Sequence, residues 1–410
     1  MRVLPCALLA ACLLLPAIFS RTATAAKIDL PLLVPAIVTP PLGRDSDGDG
    51  LPDLWELRGY TENGVFVDLP ALGANPWHKD LFVWMDYMVK DETSLAPSQT
   101  VIDNVIKVFA NAPVANPDGV AGINIHPLLK NEVAYADSLG TATDDASVWQ
   151  DFDTRKNASF PAAYARSFRY MIWANAYAEG GSSGLARNIP ATDFIVSLGT
   201  WEPTGGTDWQ RLGTFIHELG HCLGLTHGGA DHINYKPNYL SIMNYTFQMT
   251  GLYRDGQFGE QGHPLYFDYQ RQDTPVLNEN SLSEALGLTG AGSVASYGTQ
   301  YWSYDDGQCK AVNVTDANGA IDWNQDGFIT SGVSYVLHCD EDEPSDEKIV
   351  LTAQNNWENI NYSADNLLGP ALTGVQRDAR LSEPMPPSLR HELSFETYRK
   401  LQNARPAPAP

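Results

Sequence analysis

A short segment of this sequence, HELGHCLGLTH from His217 to His227, holds residue types that bind metal ions and take part in their chemistry. His217 and His221 are four residues apart, so on a helix both imidazoles lie on one face and can reach a single ion at ~2.0–2.1 Å. Gly224 permits the sharp turn that would bring His227 back as a third ligand. Three histidines leave a fourth position open, as in a catalytic zinc site, and Glu218 projects beside them.

The alternatives to a metal site are chance and a set of ordinary core histidines. A bare H-E-x-x-H pattern arises by chance in ~1% of chains of this length, and the further glycine and histidine lower this to on the order of one in ten thousand. The stretch 209–225 also has apolar residues at helical spacing, on the side of the helix that faces away from the metal. A metal site is therefore the favoured interpretation. The apolar positions of this helix are Leu212, Phe215, Ile216, Leu219 and Leu223.

The same segment resembles a known family. His217, Glu218, His221, Gly224 and His227 match the metzincin signature H-E-x-x-H-x-x-G-x-x-H at every fixed position. The later run SIMNY, residues 241–245, resembles the Met-turn of that family, which follows the third histidine and places a methionine beneath the zinc. Both motifs occur in the expected order.

Met243 and Tyr245 take their expected roles from this resemblance. Met243 would be the Met-turn methionine, although a core methionine is an equal alternative without the upstream motif. Tyr245 matches the tyrosine that acts as a switchable fifth zinc ligand in astacin-like and serralysin-like members, with a plain buried tyrosine as the alternative. The resemblance covers about 194–245. Gly228-Gly229 follow His227 where astacins have glutamate, and we find no cysteine-switch motif, so the subfamily stays open.

The resemblance implies a secreted zinc endopeptidase with an α+β fold, a metzincin-type catalytic domain with a mixed sheet, an active-site helix and an irregular lower half. Zinc would lower the pKa of its water toward ~7 and polarise the scissile carbonyl. Glu218 would take the proton of that water and deliver it to the leaving amine, and Tyr245 would donate to the developing oxyanion. We expect the strand at 194–198 to pair with an extended substrate.

The segment DSDGDGLPDLWE, residues 45–56, fits a twelve-residue calcium loop. Gly50 occupies position 6, and Pro52 replaces the apolar residue usual at position 8, which argues against a pair of EF-hand helices. A solvated acidic turn is the alternative. The expected ligands at positions 1, 3, 5, 9 and 12 are Asp45, Asp47, Asp49, Asp53 and Glu56.

A second, weaker calcium loop begins at Asp322. Asn324 and Asp326 follow at positions 3 and 5 and Gly327 at position 6, but position 12 is Val333, which lacks a carboxylate. An ordinary turn rich in Asp and Asn explains this segment equally well.

The first 26 residues predict a secretory signal peptide, with Arg2, an apolar run to Phe19 and small residues at 23–25. The apolar run is shorter than the ~20 residues that a membrane anchor requires. A lipoprotein signal ending at Cys12 is the other alternative, but the apolar stretch continues past that cysteine, which is the wrong order.

Removal of the signal leaves three cysteines. Cys309 and Cys339 flank a loop-rich acidic segment, so we expect them to form a disulfide in an oxidising compartment. Cys222 lies inside the helical metal motif and is expected to be a small buried hydrophobe.

Charge and composition limit the possible partners. The chain has 410 residues, 43% of them hydrophobic, and a net charge of -23, which becomes -25 when Arg2 and Arg21 leave with the signal. Such a field disfavours nucleic acid and anionic membranes. We expect a monomer that acts on protein or peptide substrates and holds zinc and calcium.

Residue patterns predict strands at 81–89 and 194–198 and helices at 101–110 and 159–178. The expected organisation is a signal peptide (1–26), an N-terminal segment with the first calcium loop (27–79), a catalytic domain (80–280) and a C-terminal subdomain (281–410).

The function that these observations predict is hydrolysis of peptide bonds by zinc-activated water. Two alternatives remain open. One is a zinc hydrolase of a non-peptide amide or ester, and the other is an extracellular calcium-binding interaction protein with an inert metal site.

Overall fold

The computed structural model describes residues 43–141, 145–289, 294, 296–340, 344–362 and 392–404. The predicted signal peptide lies outside these residues. So do the start of the predicted N-terminal segment and the end of the C-terminal subdomain.

The described residues form a mixed α+β structure, in agreement with the predicted fold class. The α-helices are α1 (Asp53–Arg58), α2 (Gln99–Ala110), α3 (Asp145–Ser159), α4 (Asp208–Cys222), α5 (Tyr245–Gln248) and α6 (Phe395–Ala404). The strands are β1 (Tyr60–Glu62), β2 (Val65–Val67), β3 (Asp80–Lys90), β4 (Thr93–Ser94), β5 (Asn124–Val133), β6 (Phe168–Trp173), β7 (Gly184–Ala186), β8 (Asp193–Val196), β9 (Tyr253–Arg254), β10 (Gln257–Phe258), β11 (Leu277–Asn278), β12 (Leu282–Ser283), β13 (Thr299–Asp305), β14 (Gln308–Val314), β15 (Ser331–Val333) and β16 (Val350–Leu351). Short 3₁₀ helices cover Pro70–Leu72, Ala162–Arg166, Gly259–Gln261 and Pro264–Tyr266.

A mixed sheet of six strands forms the centre of the structure. Strand β3 lies between β5 and β6, and the sheet continues through β8 to β7. The pairs β5–β3, β3–β6 and β6–β8 are parallel, whereas β7 is antiparallel to β8. Strands β6 and β8 are buried along their whole length, as expected for parallel strands covered on both faces. The antiparallel strand β7 therefore ends the sheet on the side of the metal motif.

Three of the predicted elements form close to their expected positions. The strand at 81–89 is β3, the helix at 101–110 is α2, and the helix of the histidine motif is α4. Ser98 caps the start of α2 and Thr207 caps the start of α4, each with a side chain that accepts a backbone N–H. In α4 the Gln210 side chain completes a capping box, which fixes the start of the helix.

Two predictions are wrong: the helix at 159–178, and the pairing of the strand at 194–198 with a substrate. The segment 159–178 is not a helix, because it contains a 3₁₀ turn and then β6, whose residues are all buried in the sheet and follow no helical spacing. The strand at 194–198 forms as β8, but it is paired to β6 on one side and to β7 on the other. Its backbone groups are thus already used, and it cannot pair with a substrate.

A second hydrophobic cluster lies among residues 240–351 and contains Tyr301, Trp323 and Leu337. Strands β13 and β14 form a hairpin beside it. Cys309 in β14 is bonded to Cys339, with Cα atoms 5.6 Å apart, and Cys222 is a buried free thiol, so the predicted disulfide is confirmed. Among the described residues, no helix is long and apolar enough to cross a membrane.

Candidate metal centre

Helix α4 holds His217 and His221 on one buried face. The helix ends at Cys222 with Leu223 as its cap, and Gly224 then adopts a φ of 89°, a conformation that favours glycine. The amide of Gly224 donates to the His221 carbonyl, and the amide of Leu225 donates to a carbonyl at Gly220. This tight reversal returns the chain so that His227 faces the two helical histidines.

The protonated nitrogens of two of these imidazoles are set by the backbone. His217 Nδ1 lies 2.9 Å from the carbonyl of Ile242, and His221 Nδ1 lies 2.8 Å from the carbonyl of Leu225. A carbonyl can only accept, so each Nδ1 carries the hydrogen and each Nε2 presents a lone pair. Backbone carbonyls that accept from the far ring nitrogen orient metal-binding histidines in this way.

The three Nε2 atoms converge on one point. They are 3.1 Å apart for His217–His221, 3.1 Å for His221–His227 and 3.2 Å for His217–His227. Nitrogen ligands at ~2.0–2.1 Å from a tetrahedral zinc ion are about 3.3 Å apart, so the triangle has nearly the size that zinc requires. Lone pairs that face each other in a buried site need a cation between them. The donor set therefore fits a divalent metal ion.

Burial favours the neutral, metal-binding form of these side chains. All three histidines are almost fully buried. Burial lowers the pKa of His217 below its ordinary value and that of His227 to about 4. Near neutral pH these two rings are therefore uncharged.

A fourth group at this point is Glu392, which the sequence analysis did not identify. Its Oε2 lies 3.1 Å from His217 Nε2 and 3.3 Å from His227 Nε2, and its Oε1 lies 3.3 Å from His221 Nε2. Tyr245 donates its hydroxyl to Oε2 at 2.9 Å. These four residues, the three histidines and Glu392, form a buried group that could hold a metal ion. Glu392 follows no recognisable motif, so the sequence offered no signal for it.

Glu218 lies between α4 and the edge strand β7. It is fully buried, and its carboxylate oxygens have no hydrogen bond of good geometry among the described residues. A Cβ at Gly184 of β7 would be 2.5 Å from Glu218 Oε1, so the glycine leaves the space that the carboxylate occupies. Burial and then the negative charge of Glu392 raise the pKa of Glu218 well above its ordinary value. This residue is next to the metal-binding group without belonging to it.

The turn around Met243 supports the helix from below. A Cβ at Gly220 would be 2.3 Å from Met243 Sδ, so the methionine packs directly against the α4 backbone. The preceding residue, Ile242, supplies the carbonyl that accepts from His217. Tyr245 follows, and its ring centroid lies 4.5 Å from that of His227. The structure thus brings Met243 and Tyr245 to the histidine site.

The predicted calcium residues also come together, with one exception and one addition. Asp45, Asp47 and Asp49 form one group with ligand atoms within 4.8 Å of one another, and Asp49, Glu56 and Asp80 form a second group that shares Asp49. Asp80, at the start of β3, was not predicted.

Asp53, the remaining predicted ligand, uses its carboxylate elsewhere. It accepts from the amide and hydroxyl of Ser46 and pairs with Arg44, so it holds the start of the loop.

This acidic cluster carries unbalanced negative charge. Burial, followed by the neighbouring carboxylates Asp49 and Asp47, raises the pKa of Glu56 to about 10. Burial and the charge of Asp45 raise the pKa of Asp47 to about 7. Both oxygens of Glu56 and Oδ2 of Asp47 are buried without a hydrogen bond among the described residues. A cation is the natural partner for such a group.

The second predicted loop has a different organisation. Asp322 accepts the amides of Asp326 and Gly327, and Asn324 donates to Asp326. Glu284 accepts from residues at both ends of the loop, the amides of Trp323 and Thr330. These contacts stabilise a turn, and among the described residues this loop is not one of the groups that bring together three metal-binding side chains. Calcium at Asp322, Asn324 and Asp326 stays a prediction.

No family model matches the chain, and no curated protein matches it either.

Proposed function

We propose that this protein is a zinc-dependent endopeptidase of the metzincin type. The observation that carries the proposal is the triangle of Nε2 atoms from His217, His221 and His227, with Glu218 beside it. Three histidines with a nearby carboxylate that is not a ligand are the protein groups that a zinc peptidase uses. The antiparallel edge strand β7 next to α4 supports the same assignment, because it can align an extended peptide along the site.

Zinc held by the three histidines would polarise the scissile carbonyl and lower the pKa of water. The chain's own residues supply the proton transfers. Glu218, buried and free of strong hydrogen bonds, accepts a proton from water and passes it to the leaving amine. Burial and the charge of Glu392 raise the pKa of the Tyr245 hydroxyl well above its ordinary value, so this group stays protonated and can donate to an oxyanion.

A second function is favoured by Glu392. With this carboxylate the site offers four protein groups around one point, which is the ligand number of a structural zinc site. An extracellular interaction protein with an inert metal would have such a site. A zinc hydrolase of a non-peptide amide or ester would share the histidines and Glu218, and only its substrate would differ.

Digestion of casein or gelatin with and without a chelator tests the main proposal. We expect metal-dependent cleavage that is slow in the parent protein, where Glu392 also contacts the histidines, and faster in Glu392→Ala. Glu218→Gln should keep zinc while turnover falls by about 10⁴-fold or more, since the residue serves as both base and acid. His221→Ala should lose zinc and activity together, because two imidazoles hold a catalytic zinc poorly.

Zinc stoichiometry measured beside the peptidase rate separates the candidates. A folded, zinc-loaded Glu218→Gln protein with nearly the parent rate would show that the proton-transfer role is misassigned. Absence of peptidase activity together with hydrolysis of small amides or esters would favour the non-peptide hydrolase. Absence of both in the parent and in Glu392→Ala, with zinc tightly bound, would favour the inert site.

We also propose that the cluster of Asp45, Asp47, Asp49 and Glu56 binds calcium, with Asp80 as an additional ligand. Oxygen ligands from several carboxylates are the preference of calcium, and the buried oxygens without partners support a bound cation. Because Asp80 begins β3, calcium there would join the loop to the central sheet.

Secretion belongs to the same proposal. The predicted signal peptide motivates it, and the Cys309–Cys339 disulfide is consistent with an oxidising compartment. We propose protein or peptide substrates and a monomer, with neither nucleic acid nor membrane as a partner.

A further inference from the structure

The most unexpected contact in the structure is that of the segment 392–404 with the metal centre. Glu392 is buried and reaches all three histidine Nε2 atoms as well as the Tyr245 hydroxyl. It lies 175 residues from His217 along the chain. A carboxylate in this position would occupy the fourth coordination site of a zinc ion held by the histidines.

The residues after Glu392 pair with the edge of the sheet. The amide of Ser183 donates to the carbonyl of Leu393 at 2.9 Å, and the amide of Phe395 donates to the carbonyl of Gly181 at 3.0 Å. The bridge between Ser182 and Ser394 is antiparallel.

The residues 181–183 lead directly into β7, so the segment adds a short strand beside the helix that carries Glu218. An extended substrate would use the same backbone groups.

Helix α6 anchors this segment. Ser394 accepts the amide of Thr397, which is the hydrogen bond of a helix N-cap. Trp201 packs against the rings of Phe395 and Tyr398, at centroid distances of 5.2 and 5.5 Å. Leu401 is buried in the main hydrophobic cluster. These contacts join α6 to the rest of the structure through side chains other than the metal-binding ones.

We propose that the segment 392–404 is a built-in inhibitor of the proposed peptidase, with Glu392 on the zinc and residues 393–395 on the substrate-pairing edge. This inference rests on the proposed function, because it assigns the segment to the place of a substrate. Release of the segment opens the fourth zinc position and frees the edge of the sheet at the same time. The folded protein with the segment in place is therefore latent, and it becomes active when the segment leaves.

The experiment compares full-length Glu392→Ala with the matched control Glu396→Ala. Glu396 is an exposed glutamate on α6 that pairs with Lys400. Tyr398→Ala serves as a second variant, because it weakens the anchor without touching the metal site. Each protein is prepared with zinc and, separately, with cobalt(II), whose visible absorption reports the ligands around the metal. Acetohydroxamic acid, a small chelating probe, is titrated into the cobalt form.

We expect Glu392→Ala to keep one metal ion and to change the cobalt spectrum. It should also bind the probe at least about tenfold more tightly, because the apparent affinity of the parent is reduced to the small fraction of molecules in which the site is open. Tyr398→Ala should bind the probe more tightly with an intact Glu392, and Glu396→Ala should match the parent. Peptide hydrolysis should rise in Glu392→Ala and in Tyr398→Ala.

Two results would overturn the inference. One is loss of metal from Glu392→Ala to the extent seen with His221→Ala, which would make Glu392 a permanent ligand. The other is parent-like probe affinity and cobalt spectrum in both Glu392→Ala and Tyr398→Ala. Failure of the proposed function looks different: the probe binds more tightly to the variants, which supports occupation of the site by the segment, yet no protein cleaves peptides.

Discussion

The orientation of single side chains decides what the histidine site can bind. The carbonyls of Ile242 and Leu225 hold the hydrogen on Nδ1 of His217 and His221, so the Nε2 lone pairs face inward. If the hydrogen were on Nε2 instead, the N–H groups of His217 and His221 would point at each other across an Nε2–Nε2 distance of 3.1 Å. The preference of this site for a metal ion therefore depends on the backbone carbonyls around the imidazoles as well as on the imidazoles themselves.

Mutation can separate the observed contact of Tyr245 from the catalytic role proposed for it. Its hydroxyl donates to Glu392 Oε2 in the structure, and it would donate to an oxyanion during peptide hydrolysis. We predict that Tyr245→Phe, made in the Glu392→Ala background, keeps zinc but lowers kcat by roughly 10²-fold, since loss of one such donor costs about 10²–10³. Peptide kinetics with zinc analysis provide the measurement. An unchanged kcat would assign the hydroxyl only to holding Glu392.

The elements that carry the site were predictable to different degrees. Helix α4 and its turn follow from local spacing, because His217 and His221 share a face and Gly224 reverses the chain. Glu392 and Asp80 join their sites from distant positions, with Asp80 lying 31 residues from Asp49. No local pattern encodes such tertiary contacts, which depend on how the strands are ordered.

The identity of the edge strand shows the same limit. The run at 194–198 has the strong apolar content of a strand, so it was the natural candidate to face a substrate. In the structure the edge position belongs to β7, a three-residue strand of Gly184, Leu185 and Ala186 that carries no clear strand signal. Apolar content indicates burial in the sheet interior, whereas an edge position depends on which neighbour is missing.

The contact between β7 and α4 gives a prediction at the scale of elements. Gly184→Ala would place a Cβ 2.5 Å from Glu218 Oε1 and 2.7 Å from the Ile195 carbonyl, so either the carboxylate or the strand must move. We expect zinc to remain bound while kcat falls by roughly 10²-fold, because misplacement of a catalytic group by about 1 Å costs that much. Peptidase assays and zinc analysis of the purified variant provide the measurement.

Gly180→Ala is the matched control for this prediction. A Cβ there would meet its nearest atom, the Tyr177 carbonyl oxygen, at an ordinary contact distance of 3.6 Å. Parent-like turnover in Gly184→Ala would mean that Glu218 does not need the space beside β7.

At the scale of the whole molecule, stability depends on how the acidic cluster is neutralised. Its carboxylates join the loop 45–56 to the start of β3, and thus connect the N-terminal part of the described chain with the central sheet. Calcium that binds only the folded protein at about 100 times its Kd would add about 2.7 kcal/mol to the free energy of unfolding. The net charge of -23 makes any such neutralisation favourable.

The pH dependence of this stabilisation follows from the raised pKa values. The pKa of Asp47 rises from 3.8 to about 7, and that of Glu56 rises from 4.5 to about 10, with burial as the largest cause in both. A carboxyl group with a higher pKa in the folded state binds extra protons on folding, so without calcium its contribution to stability falls as pH rises from about 4 through the folded pKa. Calcium bound to these carboxylates would replace those protons and remove this loss.

We therefore predict that added calcium raises the Tm more at pH 8 than at pH 5, with zinc held constant. Asp47→Ala should reduce the calcium effect at pH 8 while zinc content stays the same, because its carboxylate lies in the acidic cluster and outside the histidine site. The measurement is thermal unfolding of dialysed, zinc-restored protein with and without calcium chloride, with Glu396→Ala as the control. A calcium effect that is equal at both pH values, or that survives in Asp47→Ala, would place the bound cation away from these carboxylates.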